Sequence, residues 1–436
     1  MRVRSLGLDA RPLAPLRFRP GTRASTSRPR WPRCPTRTFQ SDSKQPVPDF
    51  AFAFDIDGVL LRSAKPIAYA PETLQFLQAN TIPFILLTNG GGKHESERVQ
   101  DLSARLSVPL DTTMFVQSHT PFAELVHGEN GLKNKCILVV GGEGGRCRTV
   151  AEQYGYTNVV TPGDLFMAHP EMWPFSTPFR DSYYATFARP LPKPINPASP
   201  DDSLKIDAVF VYNDPRDWGL DLQIVLDVML SHRGIVGTYS ALNGDRALPN
   251  CGYLQDGQPP LYFSNSDLLW AADYHLSRLG QGGFRAALEG VWRALTEPTD
   301  ADADRDTDAD GDGDGDATPP PELYRTIIGK PFQATYSFAE KRLLHHRDAL
   351  FARRSSHDTP LRRVYMVGDN PESDIRGANT YKSPQGIEWI GLLTRTGVYK
   401  DRPGHRPSWE PRAIVDDVRA AVQYALKDSH WPQLLQ

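Results

Sequence analysis

Asp55 and Asp57 stand two residues apart in the run Asp55-Ile56-Asp57-Gly58-Val59-Leu60, directly after the apolar stretch 50–54. Two carboxylates at the end of a strand do not serve a hydrophobic core, because an ionised carboxylate buried without a partner is heavily penalised. A bound cation or a general-acid role explains the pair. Asp55 can attack a phosphorus atom while ligating magnesium, and Asp57 can trade a proton with the leaving group. Taken alone, an Asp-Gly turn capping a strand explains the pair equally well. Further stretches change that balance. Thr88-Asn89 opens the turn Gly90-Gly91-Gly92, where a hydroxyl and free backbone N–H groups suit a phosphoryl oxygen. Gly368-Asp369-Asn370-Pro371-Glu372-Ser373-Asp374 brings a metal ligand, Asp369, and a second acid, Asp374, to hold the site. Gly329-Lys330-Pro331 offers a fixed cation, able to offset charge on a transferring group.

The elements that must position these residues alternate. Apolar runs of strand length are expected at 50–54, 82–87, 114–117, 136–140, 208–212, 261–263, 364–367 and 389–393. Helical spacing falls between them at 72–79, 95–106, 150–154, 220–230 and 284–295, and again at 415–426. Such alternation predicts an α/β protein with a doubly wound parallel sheet. In that architecture sites gather at the carboxyl ends of strands, where Asp55, Thr88 and Asp369 lie.

In this order the four motifs resemble those of the haloacid dehalogenase-like hydrolases. The resemblance implies Asp55 as nucleophile and Asp57 as general acid/base. It implies Gly58, Thr88, Asn89 and Lys330 around the substrate phosphate. Magnesium would be held by Asp55, Asp369 and the backbone carbonyl of Asp57, with Asp374 behind them. Only 27 residues separate Leu60 from Thr88, whereas 241 lie between Thr88 and Lys330. A large inserted α/β cap therefore belongs between the second and third motifs, an arrangement similar to the class IIA subclass. The expected division is a core over 49–132 and 326–436 and a cap over 133–325. The runs 139–144 and 263–268 resemble cap turns of that subclass. The runs 279–285, 393–399 and 414–418 resemble signature stretches of the cat eye syndrome critical region protein 5 family. That likeness implies a magnesium-dependent phosphatase and is silent on its substrate; a large cap closing over the site favours a small phosphorylated metabolite over a phosphoprotein, and some fungal relatives link the domain to glycerophospholipid chemistry. The likeness also allows a homodimer through the cap.

Charge and composition bound the rest. Residues 1–40 hold ten arginines and one acid, so the remaining chain carries a net charge of -12. So acidic a body does not suit a nucleic-acid partner, which needs a basic face. The Arg-, Ser- and Pro-rich segment 1–48 reads as a mitochondrial transit segment, the matrix being the expected destination. A second polar stretch, 297–321, contains nine alternating aspartates and reads as a solvated insertion. Asp306, Asp308 and Asp310 fit a calcium loop, but Ala317 stands where its bidentate Glu belongs. No apolar run reaches transmembrane length. A dinucleotide fingerprint fails at Cys147, in the run 142–147. A catalytically silent scaffold on the same fold is the alternative to an enzyme; the complete carboxylate set favours the enzyme. Among minor candidates, His94 reads as a solvated helix start and His345 and His346 as surface. Cys147, Trp270, Tyr274 and Phe284 read as cap packing.

Overall fold

A computed structural model describes residues 46–270, 272, 274–297, 319–352 and 359–435. The basic segment before residue 46 and the acidic run 298–318 lie outside the described residues. The strands are β1 (Phe50–Phe54), β2 (Leu61–Arg62), β3 (Lys65–Pro66), β4 (Phe84–Leu87), β5 (Phe115–Val116), β6 (Cys136–Val140), β7 (Asn158–Val160) and β8 (Ala208–Val211). They continue as β9 (Leu261–Phe263), β10 (Leu269–Trp270), β11 (Arg278–Leu279), β12 (Thr326–Ile327), β13 (Arg363–Gly368), β14 (Glu388–Thr394) and β15 (Ala413–Val415).

Six of these form one sheet in the order β15-β14-β13-β1-β4-β5, every neighbouring pair parallel. The chain winds outward from β1 through β4 to β5, then returns beside β1 at β13 and winds the other way. The order therefore reverses between β1 and β13, where a crevice opens at the carboxyl ends. The alternation in β1 decides which face each residue meets. Phe50, Phe52 and Phe54 pack with the helices Ala70–Ala79, Glu95–Leu106 and Val418–Asp428. Ala51 and Ala53 meet the helix Gln333–Leu350 and Trp389 on the other face. Burial on both faces explains why β1 reads as an unbroken apolar run.

A second all-parallel sheet has the order β12-β9-β8-β6-β7. The helices Pro162–Ala168, Trp218–Leu230 and Gln281–Thr296 supply one of its cores. Arg146–Tyr154 supplies the other, together with Phe122 and Val126. This cap thus draws side chains from before residue 133, and its edge strand β12 lies beyond 325. The apolar residues of 122–126 lie too close to β5 for their spacing to betray which sheet they serve. β12 is only two residues long and carries no strand pattern of its own.

Candidate active site

The turn after β1 is fixed from both sides. The Asp55 N–H donates to Val367 O at 2.9 Å, tying the end of β1 to that of β13. The Leu60 and Leu61 N–H groups return to Ile56 O, and Ile56, Val59, Leu60 and Leu61 are fully buried. Asp55 and Asp57 therefore leave an anchored turn. Gly58 takes φ 96°, and a Cβ there would sit 2.3 Å from Asp369 Oδ2. The glycine gives room to the Asp369 carboxylate and does not line the cleft.

Lys330 is the cation of the centre. Its Nζ lies 2.8 Å from Asp55 Oδ1 and 2.7 Å from Asp374 Oδ1, at 1% side-chain exposure. Burial alone would lower the ammonium's pKa, but Asp374 and Asp55 outweigh it and hold it above the ordinary lysine range. Asp374 Oδ2 accepts from the N–H groups of Asp369 and Asn370 at 3.1 and 3.0 Å. Asp374 thus spends both oxygens on holding the site together. The Lys330 peptide is clamped as well. Its N–H donates to Asn89 Oδ1 at 2.7 Å, and its carbonyl accepts from Asn89 Nδ2 and from Ser266 Oγ. The Asn89 side-chain amide thus helps to place Lys330, while the residue also lines the cleft; a single strand-end Asn does not reveal a partner 241 residues away.

Asp55, Asp369 and Asp374 offer oxygens within 4.8 Å of one another, all buried. Burial, then Asp55 and Asp374, push the Asp369 carboxyl well above the usual range. One ammonium faces three carboxylates, so a hard divalent cation fits the remaining charge and the all-oxygen donor set. The Asp57 side chain stands outside this trio and lines the cleft. Burial raises its pKa against the pull of Arg98 and Lys330, which suits a proton donor.

Thr88, buried after β4, accepts from Gly90 N–H at 2.9 Å and fixes the glycine turn. A network the sequence did not reveal holds the far end of that turn. The Gly92 N–H donates to His119 Nε2 at 3.1 Å, and His119 Nδ1 meets Tyr154 Oη at 2.8 Å. Tyr154 and Thr120 both donate to Glu95 Oε1. With Nε2 accepting, the imidazole proton resides on Nδ1. Burial, followed by neighbouring His94, lowers the His119 pKa to about 4 despite Glu95. His94 caps the helix Glu95–Leu106, as its position suggested.

The cleft between the two sheets encloses about 560 Å³. Its cap wall includes Asp267, whose Oδ2 accepts from Asn89 Nδ2 at 3.0 Å. Burial raises the Asp267 carboxyl to about 7. Of the minor candidates, two fall as their composition suggested and three do not. Cys147 and Phe284 are buried, and burial lifts the Cys147 thiol to about 12, leaving it inert. His346 is buried, because its side of the helix Gln333–Leu350 faces the sheet, whereas Trp270 and Tyr274 are exposed.

Comparisons with known proteins place the chain in a family. The family described as haloacid dehalogenase-like hydrolase matches residues 52–157, and a HAD-hydrolase-like family matches residues 327–421. A cardiolipin synthase (CMP-forming) / mitochondrial hydrolase fusion protein of Schizosaccharomyces pombe is 38% identical over 396 residues, or 89% of this chain. The chain spans 55% of that relative's length. A mitochondrial hydrolase of Saccharomyces cerevisiae is 37% identical over 408 residues, covering 90% of this chain and 98% of the relative. Among solved structures, a hypothetical protein of Pyrococcus horikoshii OT3 shares the fold at a TM-score of 0.50 and 16% identity, covering 86% of this chain and 99% of that one.

Proposed function

Because this chain belongs to the haloacid dehalogenase-like hydrolases, we propose that it is a magnesium-dependent phosphatase of phosphate monoesters, working through an aspartyl-phosphate at Asp55. The observation that carries this reading is the set of three buried carboxylates gathered at the ends of β1 and β13, two of which, Asp55 and Asp374, pair with Lys330. Asp55, Asp369 and the Asp57 carbonyl would hold magnesium, which supplies charge neutralisation on the phosphoryl oxygens.

The chain's own groups divide the remaining work. An Asp55 carboxylate oxygen forms the bond to phosphorus as the ester oxygen leaves. Asp57 gives that oxygen its proton and so becomes a carboxylate. In the second half Asp57 takes a proton from water, the water oxygen bonds to phosphorus, and the Asp55–phosphorus bond breaks. Inorganic phosphate departs with Asp55 and Asp57 restored. The Lys330 ammonium and the Thr88 hydroxyl hold charge on the transferring group; such preorganised electrostatics supply most of the rate.

The two relatives named as mitochondrial hydrolases, together with the arginine-rich segment 1–48, support a mitochondrial place for the protein. The fusion to a cardiolipin synthase supports a link to glycerophospholipid metabolism. The test is phosphate release from a panel of monoesters by the full chain, with magnesium and with EDTA, beside Asp55→Asn. Release that requires both magnesium and Asp55 supports the reading. No release by a folded, magnesium-binding protein would point to a silent scaffold.

A further inference from the structure

The cap wall of the cleft carries a hairpin whose apolar side chains lack cover among the described residues. β10 and β11 pair antiparallel, with Leu269 opposite Leu279 and Trp270 opposite Arg278. All four residues line the cleft, yet Leu269, Trp270 and Leu279 are 40%, 41% and 58% exposed. Leu268 and Leu276, on the same hairpin, are more than half exposed and lie outside the cleft lining. Single exposed leucines are ordinary. Several large apolar side chains gathered on one short hairpin mark a surface meant to be covered.

The hairpin's root says what that surface serves. Asp267, the residue before Leu268, bonds to Asn89, which clamps Lys330. The Gly280 N–H donates to Leu268 O at 2.9 Å and closes the hairpin at its base. A strip of apolar surface therefore begins next to the groups that hold Lys330, forms part of the cleft wall and continues onto the exposed face. Arg278 lies within the strip, and Arg146 and Arg216 share its wall with Glu143, Asp214 and Asp267.

Resting on the phosphatase reading above, we propose that this hairpin seats an acyl or alkyl chain. The substrates are then lipid phosphates, monoesters whose alcohol carries a long apolar chain. The phosphate lies at Asp55 and the chain runs along Leu269 and Leu279.

The test uses the full chain and two defined probes, butyl phosphate and dodecyl phosphate, the second kept below its micellar concentration. Calorimetric titration of Asp55→Asn with magnesium reads binding without turnover. Eight extra methylenes, each giving up to about fourfold when fully buried, should yield at least about 10-fold tighter binding even on a half-open wall. In Asp55→Asn carrying Leu269→Ser and Leu279→Ser, that preference should fall below about threefold, in proportion to the methylenes left uncovered. Should that variant fold poorly, Leu279→Ser alone, at an exposed position, gives an intermediate preference. Equal affinity for the two probes overturns the proposal, and so does a preference that survives both substitutions. A dimer whose light-scattering mass falls to that of a monomer in the hairpin variant, with no chain preference, assigns the surface to a second copy and also overturns it. Wild-type turnover of both probes is measured in parallel. Chain-dependent binding without turnover sinks the phosphatase reading and leaves the chain seat standing; turnover without chain preference does the reverse.

Discussion

On the core wall of the cleft, charged groups are tied down. Lys330 bridges Asp55 and Asp374, Asp374 takes two backbone N–H groups, and Asp369 accepts from Val398 N–H. On the cap wall, Arg146 is 55% exposed, and Leu269 and Leu279 face both cleft and solvent. The first wall has the rigidity that a reaction at one phosphorus atom demands. The second has surface left over, which is what recognition of a leaving group demands. Under the proposed function, the contrast assigns the chemistry and its selectivity to separate sheets, joined at Lys330 by Asn89 from the core and Ser266 from the cap.

Breaking the core wall should have the larger consequences. Lys330→Met leaves Asp55 and Asp374 buried without their cation. Phosphate release should fall by about 10²–10³-fold, and urea unfolding in EDTA should show a loss of about 3–5 kcal/mol. Asp369→Asn removes one carboxylate charge from the cation site, and the amide oxygen can still accept from Val398 N–H. Magnesium at a hundredfold over its Kd should stabilise the wild type by about 2.7 kcal/mol; the variant should lose most of that increment, as read by unfolding with and without magnesium. Gly58→Ala presses a Cβ on the Asp369 carboxylate at a positive φ. It should cost about 2 kcal/mol in the same unfolding assay. Displacing that carboxylate should also slow turnover by about 10²-fold.

The smallest effect sharpens the boundary between the walls. His119 is held neutral between the glycine turn and Tyr154, facing Glu95, His94 and Tyr212. Its folded pKa of about 4 lies below the 6.5 of the free side chain. Its neutral form therefore contributes fully above pH 6.5, and that contribution is lost as pH falls toward 4. Relative to His119→Gln, the wild type should lose about 1.4 kcal/mol by pH 5.5. Urea midpoints of the two proteins across pH 7 to 4 check the sign and the size.

Much of the core wall was legible in the residue order. The strands at 50–54 and 136–140 and the helix at 95–106 lie where their periodicity puts them. Asp55, Asp57, Thr88, Lys330, Asp369 and Asp374 converge because each follows a strand of one parallel sheet or opens the loop facing it. The cap wall was not legible. Trp270 and Tyr274 have the composition of a core, and only tertiary contacts decide whether a large apolar residue finds cover. Asp267 sits in Ser264-Asn265-Ser266-Asp267, a turn-like run with no sign of its bond to Asn89. His119 lacks a charged neighbour in sequence that would announce the network through Tyr154.

The most direct test of the central claim is to trap the bond to Asp55. The wild-type enzyme is mixed with magnesium and a turned-over monoester, quenched in acid and reduced with borohydride, and its peptides are read by mass spectrometry. An acyl phosphate on the Asp55 carboxylate becomes the alcohol, so residue 55 should appear as homoserine, only with substrate and magnesium present. Turnover with an unmodified Asp55, or homoserine at another aspartate, would contradict the account.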